Sequence, residues 1–433
     1  MNQKTDTVVT PAMTAQRAHE IAASLDLRDL PDDFYANPYP VYAQLRQHEP
    51  IRRMPDGSVL LTRHADLCAV YRDARAFSSD KRVEFAPKYG AVAPLFEHHT
   101  SSLVFNDPPL HTRVRRIIMG ALTRRAITGI EAALCALVDR LLDAIETEGG
   151  GDLIADFASA IPVEVIGNLL GVPPAERRPL RAWSLAILGA LEPLLTPEQE
   201  RLGNQSVREF KDYLKQLVVR RRRFPGDPEH DVLTRLIQAG GAEGSGEELS
   251  ETELLHNCIF ILNAGHETTT NLIGNALASM QEWPAQREQL LAGLRATQDN
   301  ALQRDNLLDL AVEEFLRFES SNQLGNRRCM QDFELPGLRL TPGSLVTLCI
   351  GAANRDPAAY EDSESLNLLR APNRHLAFGL GPHQCAGMSL ARLEGRVAIS
   401  RFLLRFPQYK LMGAPRRARR ARFRGFLSAP FAV

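Results

Sequence analysis

The 433-residue chain has no run of about 18 consecutive apolar residues, so no membrane-spanning helix is expected. Its first thirty residues are polar and hold no apolar stretch of the kind a secretory signal needs. Six cysteines (Cys68, Cys135, Cys258, Cys329, Cys349 and Cys385) stand apart, with no two at metal-ligand spacing. A disulfide framework is therefore not expected, and a reducing cytoplasmic setting fits. Charge imbalance is lacking as well: 51 basic against 52 acidic residues give a formal net charge of −1, which offers nucleic acid no electrostatic reason to bind. No internal repeat appears, and no linker is rich enough in Pro, Gly or Ser to divide the chain. The nearest candidate, residues 239–246, reads as a short loop between helices. What remains is an ordinary globular composition, 44% hydrophobic, with ample material for one core. The expected organisation is a flexible N-terminal arm over residues 1–30 and a single domain over residues 31–433.

The chain is organised around Phe378-Gly379-Leu380-Gly381-Pro382-His383-Gln384-Cys385-Ala386-Gly387. Three glycines and a proline make a tight loop, and the apolar run from Met388 to Leu393 starts a helix directly after it. Cys385 thus sits where a loop enters a helix, where free N–H groups and the positive dipole end favour a thiolate. Glycines let backbone approach a flat ligand closely. A cysteine thiolate on such a loop suits iron in a haem.

A second anchor is the segment from about residue 250 to about residue 280. Ser250-Glu251-Thr252-Glu253 is a capping box, and Trp283-Pro284 ends the helix. Thirty residues make a rod of about 45 Å. It is apolar on more than one face and so is expected to be buried. In its middle lies Ala264-Gly265-His266-Glu267-Thr268-Thr269-Thr270, where a glycine and three threonines weaken helix propensity. The Thr268 hydroxyl can bond back to the Ala264 carbonyl and loosen the ladder. Further motifs follow the same logic. His111 and Arg115 are an i,i+4 pair on one helix face, able to hold a carboxylate, and Glu314 and Arg317 are an i,i+3 pair.

The loop pattern Phe-Gly-x-Gly-x-His-x-Cys-x-Gly, the Ala-Gly-x-Glu-Thr segment, the His-x-x-x-Arg pair and the Glu-x-x-Arg pair occur in the order and rough spacing found in the cytochrome P450 superfamily, which residues 35–433 resemble. The resemblance implies a mainly α fold with a smaller β region and haem b held between the long central helix and the Cys-loop helix. It implies a soluble, monomeric monooxygenase that inserts one atom of O2 into a small organic substrate by hydroxylation or demethylation. Electrons would come from a separate ferredoxin or flavodoxin with an NAD(P)H-dependent reductase, and neither nucleic acid nor a membrane would be a partner. Cys385 would be the metal ligand. His111, Arg115, Arg327 and His383 would hold the haem propionates, and Phe378, Gly379, Gly387, Ala264 and Gly265 would lie against the cofactor, Gly265 leaving room for dioxygen. Glu267 and Thr268 would manage protons. Phe260, Asn263, Gln323, Leu324 and Leu427 would line the substrate pocket. Asn263 and Gln323 are polar where many relatives are apolar, which points to a substrate, aromatic or terpenoid, with a hydrogen-bonding group. Arg116, Arg392 and Arg396 would face the redox partner.

Several points stay open at this level. Residues 78–104 lack periodicity and read either as a mobile loop over the pocket or as a plain surface loop. Arg82 or Lys88 there is a candidate for a substrate carboxylate. Residues 185–195 fall where the family builds the pocket roof. Ser365 stands where relatives often place an arginine beside the Glu-x-x-Arg pair, leaving Arg370 as the candidate third partner. Ser320-Ser321-Asn322-Gln323 replaces the usual Ser-Pro-Val. The clusters 220–223 and 416–422 read as solvated basic surface. Peroxide-driven or non-oxygenase haem-thiolate chemistry, and a non-catalytic haem sensor, are the rival readings. The intact Glu267–Thr268 pair speaks against both.

Overall fold

The computed structural model describes residues 13–239 and 248–433. Most of the expected glycine-rich loop and the first twelve residues of the expected arm lie outside them. The axis of the fold is the helix Glu251–Glu282, 32 residues and about 48 Å long. Ser250 caps it: its hydroxyl accepts the Glu253 N–H at 3.2 Å while the Glu253 carboxylate accepts the Ser250 N–H at 2.8 Å. The helices Ala160–Leu169, Leu180–Gly189, Pro197–Arg223 and Met388–Arg405 pack around it. That surround explains why the long helix has no polar face.

The β region is small and lies to one side. Its main sheet has the strand order Ile51–Arg53, Val59–Leu61, Leu345–Cys349, Leu324–Cys329, Phe77–Ser78. A hairpin turns at Pro55-Asp56-Gly57, with Ile51 opposite Leu61 and Gly57 at φ +82°. Leu324–Cys329 runs antiparallel to Leu345–Cys349 and places Arg327 opposite Val346. A separate C-terminal hairpin pairs Arg416–Arg417 with Phe426–Ser428, and residues 418–425 form its tip.

Two sequence expectations need correction. From Met13 on, the expected arm is part of the domain. The helix Ala15–Ala23 buries Ala18, Ile21 and Ala22 against the helix Tyr39–His48, and Leu25 and Leu30 are buried too. Residues 78–104 are not a plain loop but hold two helices, Arg82–Tyr89 and Pro94–Ser101. Pro87 lies inside the first and Pro94 starts the second, so neither is long enough to show a period. The second rests on the long helix and the first packs on the second; just after them the Asn257 side-chain oxygen accepts the Leu103 N–H at 3.0 Å.

The Cys-loop helix Met388–Arg405 carries Glu394, which is 1% exposed. Burial alone pushes its carboxyl up to about 8 from 4.5. Between those values the folded state holds a proton that the unfolded chain releases, so stability is lost as pH rises through that window. Glu394→Gln is expected to be neutral near pH 5 and stabilising near pH 9, by at most about 1.4 kcal/mol per pH unit of the window. Denaturant titrations at the two pH values measure this, and an equal gain at both would refute it.

Candidate functional site

Cys385 closes a loop that needs glycine at two positions. Gly379 and Gly381 have φ of +66° and +74°, and a side chain at Gly381 would strike the Tyr71 carbonyl oxygen. The Cys385 N–H donates to the Phe378 carbonyl at 2.9 Å. Burial pushes the Cys385 thiol up, opposed by the Gly387 N–H and the charges of Arg115 and Arg392. Burial thus works against the thiolate that the helix N-terminus favours. A coordinated metal cation would secure it, because it deprotonates a ligating thiol outright. Cys385, Arg327 and Arg422 are walled in by protein yet keep uncovered surface, so they face an internal chamber. A side chain built at Gly387 meets no protein atom within 4 Å.

One wall of the chamber belongs to the long helix. Phe260, Ala264 and Thr268, spaced by four, keep uncovered surface in the middle of the helix, together with Ile261 and Gly265 beside them. Thr268 Oγ1 donates to the Ala264 carbonyl at 2.6 Å, the back-bond expected from sequence. Glu267 is buried, with Oε1 on the Arg420 guanidinium and Oε2 without a partner. Burial pushes its carboxyl up while Arg420 holds it down. Arg420 also donates to the Leu185 carbonyl at 3.2 Å, tying the acid to the helix Leu180–Gly189. Asn263 is one turn before Glu267, 2% exposed, with both side-chain polar atoms unpartnered. A side chain at Gly265 would collide with Ile166 of the helix Ala160–Leu169. Gly265 therefore lets two helices approach closely, and it keeps uncovered surface beside Ala264.

The other end of the chamber gathers donors. The rings of His111 and His383 lie 3.9 Å apart, and both His111 nitrogens are buried without partners. Burial and the charges of Arg327, His111, Arg115 and Lys81 push the His383 imidazole down to about 2. Burial and Arg115 push His111 down to about 4. Both rings are neutral N–H donors near neutral pH. Arg327 donates to the Asn326 carbonyl at 2.7 Å, with its guanidinium 5.4 Å from the centre of the Tyr71 ring. Lys81 joins this group unannounced by any sequence motif. Its ammonium is buried without a hydrogen-bond partner, 3.9 Å from Glu84. Clustered cations and unpartnered imidazoles around a chamber with a cysteine at its floor have the chemistry that a dianionic, iron-bearing ligand requires.

Other site expectations are corrected. The Gln323 side chain points away from the chamber and donates to the Ser320 carbonyl at 2.7 Å and the Tyr39 hydroxyl at 3.4 Å. Its backbone is pinned on both sides, N–H to the Arg422 carbonyl and C=O from the Ile350 N–H, which fixes that direction. Leu324 packs with Tyr42, Leu45 and Leu60 in the N-terminal core. Leu427 is 49% exposed: strand alternation turns Phe426 inward, against Arg417, and Leu427 outward. Arg392 and Arg396 pair with Glu313 and Asp309 of this chain, so the proposed redox-partner face is partly neutralised. The largest correction concerns the C-terminal arginines. Arg417 and Arg424 pair with buried Glu319, Arg420 with Glu267, and Arg422 reaches the Leu324 carbonyl and Asn326. The cluster 220–223, by contrast, is a helix end in which Arg220 and Arg221 pair with Glu176 and Asp231.

Comparison with known proteins agrees with this geometry. Residues 182–418 match the family model described as Cytochrome P450. The polyketide biosynthesis cytochrome P450 PksS of Bacillus subtilis is 34% identical over 393 residues, 88% of this chain and 92% of that protein. A vitamin D(3) 25-hydroxylase of Pseudonocardia autotrophica is 36% identical over 382 residues, 87% and 88% of the two chains. Among solved structures, P450BioI in complex with an acyl carrier protein ligated to hexadec-9Z-enoic acid superposes with a TM-score of 0.83 at 30% identity, covering 93% of this chain and 99% of that one. CalO2 gives a TM-score of 0.84 at 31% identity, covering 94% and 98%. Among the described residues no helix is long and apolar enough to cross a membrane. With the loop, the notch in the long helix and the donor cluster in their places, the chain belongs to the cytochrome P450 family of monooxygenases.

Proposed function

We propose that Cys385 supplies the thiolate ligand of a haem b whose propionates rest on His111, Arg115, Arg327, His383 and Lys81. The bound haem supplies oxygen activation, with one atom of O2 going to the substrate and the other to water. The single observation that carries the reading is the pairing of a back-bonded Thr268 on the chamber wall with a buried Glu267 that keeps one oxygen unpartnered. A dry chamber has no bulk water to deliver protons. As Thr268 Oγ1 gives its hydroxyl proton to the chamber, Glu267 replaces it through Oε2 and is reprotonated from solvent. Arg420 holds Glu267 in place through Oε1. Phe260 and the phenyl rings of Phe85 and Phe105 supply apolar surface for a small organic substrate, and Asn263 offers it a hydrogen-bond partner. Electrons come from a separate ferredoxin or flavodoxin. The relatives named for polyketide biosynthesis and for vitamin D(3) hydroxylation support hydroxylation of a bulky, largely apolar molecule.

With surrogate redox proteins and any compound that shifts the haem spin state, Thr268→Ala is expected to lower product formation by about 10²-fold, the scale of one acid–base group. NADH consumption should continue, and the electrons should appear as hydrogen peroxide. Coupling as tight as in the parent protein would remove Thr268 from the proton path.

A further inference from the structure

The positive charges around the chamber form two groups, and only one of them is used by the reading above. The first surrounds His383. The second centres on Glu192, which follows the helix Leu180–Gly189. Glu192 Oε2 accepts the backbone N–H groups of Ala421 and Arg422, at 2.8 and 3.3 Å, and its Oε1 is buried without a partner. The Lys88 ammonium reaches the same residue but binds its backbone carbonyl, at 2.5 Å. The Arg422 guanidinium bonds only to neutral oxygens, the Leu324 carbonyl at 2.9 Å and the Asn326 amide, and its Nε is buried without a partner. His99 Nε2 is likewise buried and unpartnered, in a ring that is 2% exposed. Arg420, the next cation along the hairpin tip, is already matched by Glu267.

Two half-buried cations therefore face a single carboxylate, one oxygen of which is turned to the backbone while the other is unpartnered. Charged side chains held away from water need an anion, and a neutral carbonyl does not replace one. Apolar surface adjoins the group: Phe85 meets Tyr89 at a tilt and Phe105 edge-to-face, each at a centroid distance of 5.2 Å, and Phe105 keeps uncovered surface. A polar pair beside an aromatic wall fits an amphipathic acid.

We propose that Arg422 and Lys88 form a carboxylate subsite and that the substrate is an amphipathic monocarboxylic acid, anchored there by its carboxylate while its apolar body lies along Phe85 and Phe105. This inference rests on the haem-thiolate reading, which supplies the reacting centre. Burial pushes the Lys88 ammonium down to about 8, which an entering carboxylate would oppose, and the Glu192 carboxyl up, which it would reinforce by favouring the neutral acid. Arg82, the alternative named from sequence, is paired with Asp80 and faces solvent.

The test uses the haem-loaded protein. Dodecanoic acid and 6-phenylhexanoic acid are titrated beside their methyl esters, following the spin-state shift of the ferric Soret band. The wild type should bind at least one acid about tenfold or more tighter than its ester, the scale of a charge-assisted hydrogen bond. In Arg422→Gln the preference should fall to about twofold or less, with an unchanged rate of haem transfer to apomyoglobin. Lys88→Met should reduce the preference in the same direction and carries the test alone if Arg422→Gln does not retain haem. Equal binding of acids and esters by the wild type overturns the proposal, as does a preference that survives both substitutions. Faster haem loss from Arg422→Gln with the acid preference intact also overturns it, since Arg422 would then be serving a haem propionate. Loss of the thiolate-type spectrum in the wild type is a different result and would defeat the haem-thiolate reading itself.

Discussion

Cys385→Ser is expected to abolish monooxygenase turnover and the thiolate-type Soret band of the reduced carbon monoxide adduct while leaving the fold in place. The substitution exchanges sulfur for oxygen at a position whose backbone N–H, not its side chain, makes the loop-closing bond to Phe378. Thermal unfolding of the haem-free protein should therefore change little. The chemistry cannot survive, because a serine hydroxyl does not ionise to a comparably electron-rich ligand near neutral pH. Three of the other cysteines are committed to the core. Cys258 and Cys349 are core side chains with thiols pushed up to about 12 by burial. Cys329 lies in the core of the sheet, where its thiol donates to the Gln331 carbonyl at 2.9 Å. A thiolate-type band that persists in Cys385→Ser would mean that another sulfur binds the iron and would remove the central assignment.

What was legible in the sequence, and what was not, follows from the range of the interactions involved. The long helix announces itself by local chemistry: Ser250 and Glu253 cap each other three residues apart, and Thr268 bonds back four residues to Ala264. The Cys loop is equally local, since Gly379 and Gly381 are needed for their own backbone angles. The arginines of the C-terminal hairpin look like a solvated edge because their partners are distant in sequence. Arg420 meets Glu267 across 153 residues, and Arg424 meets Glu319 across 105. Nothing near residue 420 signals a buried acid waiting for it. Lys81 is hidden for the same reason: a lysine before a short, proline-interrupted helix resembles any surface lysine until the sheet and the Cys loop close over it. Pocket residues taken from the family resemblance fail where a side chain's direction is decided by tertiary pinning, as at Gln323.

Glu314→Ala is expected to prevent accumulation of folded, haem-loaded protein, whereas Arg370→Ala should fold with reduced stability. Glu314 and Arg317 are both fully buried, joined by two hydrogen bonds of 2.8 Å. The same carboxylate accepts from Arg370 at 3.1 and 3.2 Å, from the Asn367 N–H at 2.8 Å and from Asn373 at 3.0 Å. Arg370 is thus the third partner that Ser365 cannot be; Ser365 contributes only its carbonyl, to Arg317 at 2.9 Å. Removing Glu314 strands two guanidinium groups away from water, and one uncompensated buried charge costs about 3–5 kcal/mol. Two such losses approach a typical domain's whole stability of about 5–15 kcal/mol. Removing Arg370 leaves the Glu314–Arg317 pair neutral and costs less. The site shares the damage, because Arg317 also binds the carbonyls of Asn354 and Ser363, and the Asn354 side chain receives the Leu376 N–H at 2.7 Å, just ahead of the Cys loop. Folded yield and haem content per chain should collapse together in Glu314→Ala, whereas Arg370→Ala should show only a lowered denaturant midpoint. A Glu314→Ala protein that folds and binds haem as well as Arg370→Ala would show that this network orients the loop without holding up the fold.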